Sequence, residues 1–197
     1  ANMVREEMAK TRRSEVMSAR LVEEAEEGRG EEALVFPGAM EKASPAAQAG
    51  VALKGAAAAA SPGKEITATI ATDKGNIVVR FFPDEAPNTV ISFIRLARGG
   101  FYSNRLFHRV IKGFVIQGGC PFGSGQGGPG YTLKAEFNDR PHVEGAMSMA
   151  RTDEADSAGS QFFICLGKQP SLDHKYTVFG EVIQGIEVVR AIGEAEV

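Results

Sequence analysis

Residues 107–119, FHRVIKGFVIQGG, place a guanidinium and an amide inside two apolar runs. Arg109 lies in the first run and Gln117 closes the second, although charged side chains are almost never fully buried unless they are paired. A turn at the central Lys-Gly pair would make two strands of this segment and would bring Phe114 to the same face as Arg109. We therefore predict that Arg109 is the charged centre of an outward-facing apolar cleft.

Two adjacent phenylalanines follow Gln161 in a later apolar run. Side chains alternate along a strand, so Phe162 and Phe163 must point to opposite faces, one inward and the other outward. An outward phenylalanine close to an arginine and a glutamine would form an apolar pocket with a polar rim, which is typical of a small-ligand or peptide site. Composition alone favours equally the alternative in which this ring packs under a covering helix.

Two other motifs have simpler explanations. The loop GSGQGG at 123–128 matches the G-x-G-x-x-G pattern of dinucleotide-binding loops, but a Pro-Gly pair and a strand follow where that motif opens a helix. We predict a long surface turn there. Ser171, Asp173 and His174 have the residue types of a hydrolase triad, but neighbours in sequence cannot supply triad geometry, so a solvated turn is predicted.

The histidines and cysteines indicate neither a metal site nor a cofactor. His108, His142 and His174 have no metal-ligand spacing. Cys120 and Cys165 lie far apart in sequence, and we expect two reduced thiols, which weakly favours a reducing compartment.

The pattern of elements from residue 65 onward predicts a mostly β fold. EITATIAT and IVVRFF form a hairpin around DKGN, and further short runs are each bounded by Gly, Pro, Asn or Asp. APNTVISFIRLARGG and GIEVVRAIG have the apolar stripes of two helices. Closing a sheet removes its unpaired edges. We predict a closed or nearly closed antiparallel β-barrel of about eight strands, with the two α-helices covering its open ends and an open β-sandwich as the alternative.

Composition limits the partners. The chain has 197 residues and a net charge of −3, which argues against phosphate-driven nucleic-acid binding because that needs a clustered basic face. It contains no apolar run approaching the roughly 18 residues that span a bilayer. We expect a soluble protein of the cytoplasm or of an organelle interior.

The first 64 residues differ in composition from the rest. Residues 1–27 are charged and free of glycine and proline, which suits a helix. Residues 28–64 are rich in alanine, glycine and proline and are predicted to form a flexible linker. We therefore divide the chain into an N-terminal helical and flexible extension, residues 1–64, and a compact domain, residues 65–197.

Three motifs resemble those of the cyclophilins, the peptidyl-prolyl cis/trans isomerases. FHRVIKGFVIQGG, GSQFFI and VFGEVIQGIEVV occur in the same order and spacing, and SMARTDEADSAGSQFFI and LDHKYTVFG look like the compact type that is common in bacteria. The resemblance covers roughly residues 65–197 and leaves out residues 1–64. It implies an eight-stranded barrel capped by two helices, an active site on the outer face of the barrel and no cofactor.

The resemblance also implies roles for individual residues. Arg109 matches the catalytic arginine, and Gln117 would orient it. The proline pocket and the surface that holds the substrate backbone would be formed by Phe114, Val115, Ala150, Arg151, Gln161, Phe163, Leu172 and Tyr176.

Some of these positions depart from the animal members of the family. Val115 stands where Met is frequent, Arg151 near a usual Asn, and Tyr176 in place of His. Ser171 replaces the Trp that is associated with tight cyclosporin binding, so weakened affinity for such inhibitors is expected.

Two functional hypotheses follow. In the first, the protein is an isomerase that rotates X–Pro bonds in proline-containing peptides and proteins and assists protein folding. In the second, it is a proline-loop-binding or structural subunit, which a protein partner of residues 1–64 tethers to a larger assembly.

Overall fold

The computed structural model describes residues 16–20 and 65–195, which form nine strands and two α-helices. The strands are β1 (Val16–Arg20), β2 (Thr67–Thr72), β3 (Gly75–Phe81), β4 (Arg105–Leu106), β5 (Arg109–Ile111), β6 (Val115–Gly118), β7 (Ala146–Met149), β8 (Phe162–Cys165) and β9 (Val178–Gln184). The helices are α1 (Pro87–Arg98) and α2 (Ile186–Gly193), and short 3-10 helices occupy Ala155–Ser157 and Pro170–Leu172.

All nine strands belong to one antiparallel sheet in the order β4-β1-β2-β3-β9-β7-β8-β6-β5. Strands β4 and β5 lie at opposite ends of this order, but only Phe107 and His108 separate them in sequence. The sheet must therefore curl until its two ends are neighbours. The mostly β architecture with two helices is confirmed, and the single sheet differs from the two-sheet sandwich that was the alternative.

An apolar inner core fills the concave side of the curled sheet. Phe93 of α1 lies at its centre, with ring centroids 4.7 Å from Tyr102, 5.5 Å from Phe162 and 5.6 Å from Phe179. Helix α2 adds Val189 and Ile192, both almost fully buried, as its apolar stripe predicts. We call this group of buried residues, which extends from Ala68 to Ile192, the inner core.

Helix α1 begins at Pro87, as its sequence predicts, but no local side chain caps it. Instead, the carboxylate of Glu136 accepts hydrogen bonds from the backbone N–H groups of Asn88 (3.0 Å) and Thr89 (2.9 Å). These N–H groups have no partner within a helix, so a distant residue satisfies them. This long-range cap fastens the helix to the loop that leads into β7.

The predicted helix at residues 1–27 is wrong at 16–20, where the chain forms β1. This strand pairs antiparallel with β2 on one side and β4 on the other. Backbone pairing with two strands overrides the modest helix propensity of the segment. The rest of that predicted helix and the linker predicted at 28–64 lie outside the described residues.

Candidate functional site

The β5–β6 hairpin sets Arg109 directly opposite Gln117. The tight turn between the strands contains Gly113 in the left-handed region (φ 70°), and Phe114 N–H donates to the carbonyl of Ile111 at 2.9 Å. Glycine adopts this conformation without steric cost, which explains the Lys-Gly break. The predicted turn is confirmed.

Strand β8 divides the adjacent phenylalanines between two faces of the sheet. Phe162 belongs to the inner core, whereas Phe163 belongs to a separate apolar group on the convex side. This group, which we call the outer cluster, contains Val115, Ala146, Phe163 and Cys165, with Phe114, Ala150, Leu172 and Tyr176 packed against them. The predicted outward phenylalanine is therefore present.

A cavity of about 240 Å³ opens above the outer cluster. An apolar floor and side wall combine with charged and amide groups at its rim. Nine of the ten residues that the sequence singled out line it: Arg109, Phe114, Val115, Gln117, Ala150, Arg151, Phe163, Leu172 and Tyr176.

The tenth residue, Gln161, does not line the cavity but holds the rim residue Gln117, which in turn holds Arg109. Arg109 Nη1 donates to Gln117 Oε1 (3.1 Å), and Gln117 Nε2 donates to Gln161 Oε1 (3.1 Å). Gln161 Nε2 in turn donates to the carbonyls of Gly125 and Gly127, each at 2.8 Å. A chain of amides thus connects the solvent-exposed guanidinium to the backbone of the glycine loop.

This role of the loop at 123–128 is absent from the sequence prediction, which treats the loop only as a turn. The anchoring atoms are backbone carbonyls, which no side-chain pattern reveals. The glycine content of the loop was the available signal, because glycines allow a chain to fold back closely on a sheet, and Gly123 and Gly125 do adopt the left-handed conformation.

Arg151 forms one side of the cavity but is itself heavily bonded. Its Nε donates to the carbonyl of Lys175 at 2.9 Å, and Nη1 donates to the carbonyl of Thr152 at 2.7 Å. The guanidinium also lies 4.8 Å from the ring centroid of Tyr176 and 5.6 Å from that of Phe137. Arg151 therefore joins two loops and supports the Tyr176 ring.

The triad residue types near 171–174 do not converge. Ser171 is exposed, and His174 lies 3.5 Å from the exposed carboxylate of Asp139. Asp173 instead accepts a hydrogen bond from the Nδ1 of His142 at 2.9 Å, a contact between residues 31 positions apart. Sequence inspection missed this pair because neither residue has a characteristic spacing.

The two cysteines are buried free thiols with opposite ionisation tendencies. Burial raises the pKa of Cys165, in the outer cluster, to about 12. Burial also acts to raise the pKa of Cys120, but hydrogen bonds with the backbone of Phe122 and of the glycine loop outweigh it, and the net shift is downward. Neither thiol lines the cavity.

The described part of the chain contains no group of three or more His, Cys, Asp or Glu side chains that could hold a metal ion. Within the same residues, no helix has the length and apolar character needed to cross a membrane.

Comparisons with known proteins agree with the geometry. The model of the family described as cyclophilin type peptidyl-prolyl cis-trans isomerase/CLD matches residues 67–197. A peptidyl-prolyl cis-trans isomerase of Synechococcus elongatus is 49% identical over 127 residues, covering 64% of this chain and 87% of that protein. Peptidyl-prolyl cis-trans isomerase B of Bacillus subtilis is 48% identical over 127 residues, with 64% and 88% covered.

Solved structures give the same result. A cyclophilin type isomerase of Cryptosporidium parvum superposes with a TM-score of 0.62 at 34% identity, covering 64% of this chain and 82% of that one. The same protein crystallised in the presence of the dipeptide Ala-Pro gives a TM-score of 0.62 and covers 84% of that chain. From the family match, the relatives and the shared fold, this chain belongs to the cyclophilin-type peptidyl-prolyl cis/trans isomerases.

Proposed function

We propose that this isomerase binds the proline ring of an X–Pro peptide in the cavity of the outer cluster and twists the peptide bond beneath Arg109. One observation carries the proposal: the Arg109 guanidinium, held by Gln117, lies at the rim of a cavity whose apolar lining suits a proline ring. The substrates would be proline-containing peptides and proteins, and the activity would assist protein folding.

The reaction requires a lower barrier and no change in equilibrium. Rotation about a peptide bond meets a barrier of about 18–20 kcal/mol because the nitrogen lone pair is delocalised into the carbonyl. The cis and trans X–Pro forms differ by only about 0.5–1 kcal/mol. A catalyst must therefore favour the twisted state, in which that lone pair is localised on the nitrogen.

Arg109 is suited to stabilising the twisted state. A guanidinium carries several rigidly arranged N–H donors and a positive charge, so the bond to Gln117 leaves donors for the substrate. A hydrogen bond to the localised lone pair exists only in the twisted state, and only such interactions accelerate the step. The bonds through Gln117 and Gln161 keep the guanidinium in place before the substrate arrives.

The apolar residues of the cavity would grip the proline ring. Phe114, Val115, Phe163 and Leu172 line it and carry no charge. Excluding water from this surface strengthens the hydrogen bond from Arg109, because electrostatic interactions grow as the local dielectric falls. Ala150 and Tyr176 would hold the peptide on either side of the proline, Arg151 mainly by supporting Tyr176 and Gln161 by holding Gln117.

The test replaces Arg109 and measures turnover of a proline tetrapeptide. We expect Arg109→Ala to lower kcat/KM by about 100-fold, the scale for removing one preorganised donor. Arg109→Lys should recover part of the loss, because lysine keeps the charge but not the planar donor arrangement. Arg95→Ala, which removes an exposed arginine on α1, is the matched control. Unchanged turnover in Arg109→Ala would refute this mechanism.

The inhibitor prediction depends on the wall of the same cavity. Ser171 is exposed beside Leu172, in the 3-10 helix Pro170–Leu172, where it offers little surface to a large cyclic peptide. We infer a weakened affinity for cyclosporin-type inhibitors. Ser171→Trp should tighten inhibition while leaving the wild-type kcat for small peptides.

The fold is proposed to close into an eight-stranded barrel within residues 65–197. The two-residue connection between β4 and β5 supports closure, since it brings the two ends of the sheet together.

We propose that the protein works in a reducing cytoplasmic or organellar interior, in keeping with two free thiols. We also propose that residues 1–64 form an extension that binds a protein partner. Pull-down with the full chain and with a chain that lacks residues 1–15 tests the partner, because this deletion retains β1.

A further inference from the structure

A line of buried polar groups lies directly behind the outer cluster. His142 is 1% exposed and Ser148 is 0% exposed, although both carry polar side chains. His142 Nδ1 lies 2.9 Å from Asp173 Oδ1, and His142 Nε2 lies 3.1 Å from Ser148 Oγ. Buried polar groups are costly unless they are satisfied, so this arrangement needs a structural or functional reason.

The positions of the protons follow from the acceptors. The Oδ1 atom of Asp173 also accepts the backbone N–H of His142 at 2.8 Å, and these bonds lower the pKa of the carboxyl. An ionised carboxylate only accepts, so Nδ1 of His142 carries a proton. Burial lowers the pKa of His142 despite the nearby carboxylate and so favours the neutral ring, whose Nε2 faces the Ser148 hydroxyl.

The three side chains have the order of a serine hydrolase triad but cannot act as one. Ser148 Oγ is fully buried on strand β7 and also lies 2.9 Å from the carbonyl of Thr177. The ring of His142 is stacked on that of Phe163, with centroids 6.0 Å apart, and this places the network below the floor of the cavity. A substrate carbonyl above Phe163 has no path to Ser148.

The network is attached to one wall of the cavity at two points. Gln169 N–H donates to the carbonyl of His142 at 2.7 Å, and Asp173 binds both the backbone and the ring of His142. These two points lie on either side of the 3-10 helix Pro170–Leu172. Leu172 lines the cavity between them, so His142 contacts the floor through Phe163 and fixes the wall through Asp173.

We propose that His142 and Asp173 are positioning residues that set the distance between Leu172 and Phe163, and so the fit of the cavity to its substrate. This inference rests on the proposed function of the cavity. Arg109 is held from the opposite side by Gln117 and Gln161. We therefore expect the network of His142 and Asp173 to affect the binding of the substrate's proline ring, which is measured as KM. Stabilisation of the twisted peptide bond, which is measured as kcat, should depend on Arg109.

Two substitutions at Asp173 separate geometry from charge. Both observed bonds use Oδ1, so Asp173→Asn keeps both acceptor contacts and loses only the charge. Asp173→Glu keeps the charge but moves the oxygen by one methylene. We expect Asp173→Glu to raise KM about five- to tenfold, the scale of a lost hydrogen bond, with kcat within about twofold. Asp173→Asn should keep both parameters within about twofold of wild type.

Asp139→Asn is the matched control, since Asp139 is a fully exposed carboxylate that lies 3.5 Å from exposed His174. Amide hydrogen exchange at Gln169 and Leu172 is measured in parallel and should accelerate in Asp173→Glu alone. This readout needs no turnover, so it tests the positioning even if wild-type isomerisation, and with it the proposed function, fails. Normal KM and exchange in Asp173→Glu, or equal damage in Asp173→Asn, would overturn the inference.

Discussion

The inner core and the outer cluster are both apolar and both use a phenylalanine of β8, yet they have different tasks. Phe162 is 0% exposed and Phe163 is 5% exposed, so burial hardly separates them. Their neighbours do: Phe162 touches the rings of Phe93 and Tyr102, whereas Phe163 touches His142 and Tyr176 beside an open cavity. The outer cluster is a buried apolar group that borders an open cavity, with polar groups at the rim of that cavity.

Truncating the inner phenylalanine should have the largest effect. Phe162→Ala removes a ring packed on several aromatic neighbours, and we expect the free energy of unfolding to fall by about 3–5 kcal/mol. Urea unfolding measures this loss. A cost below about 1 kcal/mol would mean that the inner core repacks and that the contrast with the outer cluster is smaller than the contacts indicate.

The matching truncation on the outer face should act on activity. Phe163→Ala removes the floor of the cavity, and we expect kcat/KM on a proline tetrapeptide to fall at least about tenfold, equivalent to about 1.4 kcal/mol of lost binding. Its free energy of unfolding should fall less than that of Phe162→Ala, because the ring already borders a cavity. Equal stability losses with unchanged kcat/KM would contradict this division of tasks.

Loosening the polar rim should have a smaller effect. Gln161→Ala breaks the connection between Gln117 and the carbonyls of the glycine loop. Arg109 would then sample more positions, and we expect kcat to fall about fivefold, the scale of one hydrogen bond. Gln126→Ala, at an exposed position of the same loop, serves as control. If both variants behave alike, the loop and not the amide chain determines the position of the guanidinium.

Much of this site could be predicted from strand periodicity and turn chemistry. Alternation separates Phe162 from Phe163, and the Lys-Gly break places Phe114 beside Arg109, because these effects are local. The contact of Asp173 with His142 depends on two loops that meet only in the folded chain. The pairing of Val16–Arg20 with β2 was missed for the same reason: it joins segments separated by more than 40 residues.

The two thiols offer a chemical comparison between the outer cluster and its surroundings. At pH 8 a thiol whose pKa is about 12, as for Cys165, is almost entirely protonated. The pKa of Cys120 is lowered, so we expect iodoacetamide to modify Cys120 before Cys165 as the chain opens in mild denaturant. Mass spectrometry of timed samples measures the order. Faster modification of Cys165 would show that the outer cluster opens more readily than the glycine loop.

The smallest predicted effect is a dependence of stability on pH that originates behind the outer cluster. Burial holds the pKa of folded His142 below its ordinary 6.5, so the unfolded chain binds more protons as the pH falls below that value. The free energy of unfolding should therefore decrease below pH 6.5, and His108, whose pKa burial also lowers, adds to the decrease. The lowered pKa of Asp173 adds a second loss below its ordinary 3.8.

Urea titrations between pH 7.5 and 5 test this prediction. His142→Gln should flatten the decrease relative to wild type, even if it lowers stability throughout, because it removes the titrating ring. His174→Gln, which changes an exposed histidine, should keep the wild-type slope. A slope that is the same in all three proteins would place the acid sensitivity elsewhere in the chain.

Gly125 and Gly127 hold Gln161 through carbonyl oxygens, which every amino acid possesses. The exposed side chains of Ser124 and Gln126 are therefore free to vary through evolution without releasing Arg109. The length of the loop and the left-handed turn at Gly125 are not free, since both determine where the carbonyls point. Gly127 is not free either, because a Cβ there would lie 2.7 Å from the side chains of Pro121 and Phe122. When members of this family are aligned, we expect an insertion or deletion in the loop to mark a changed position of the residue that matches Arg109.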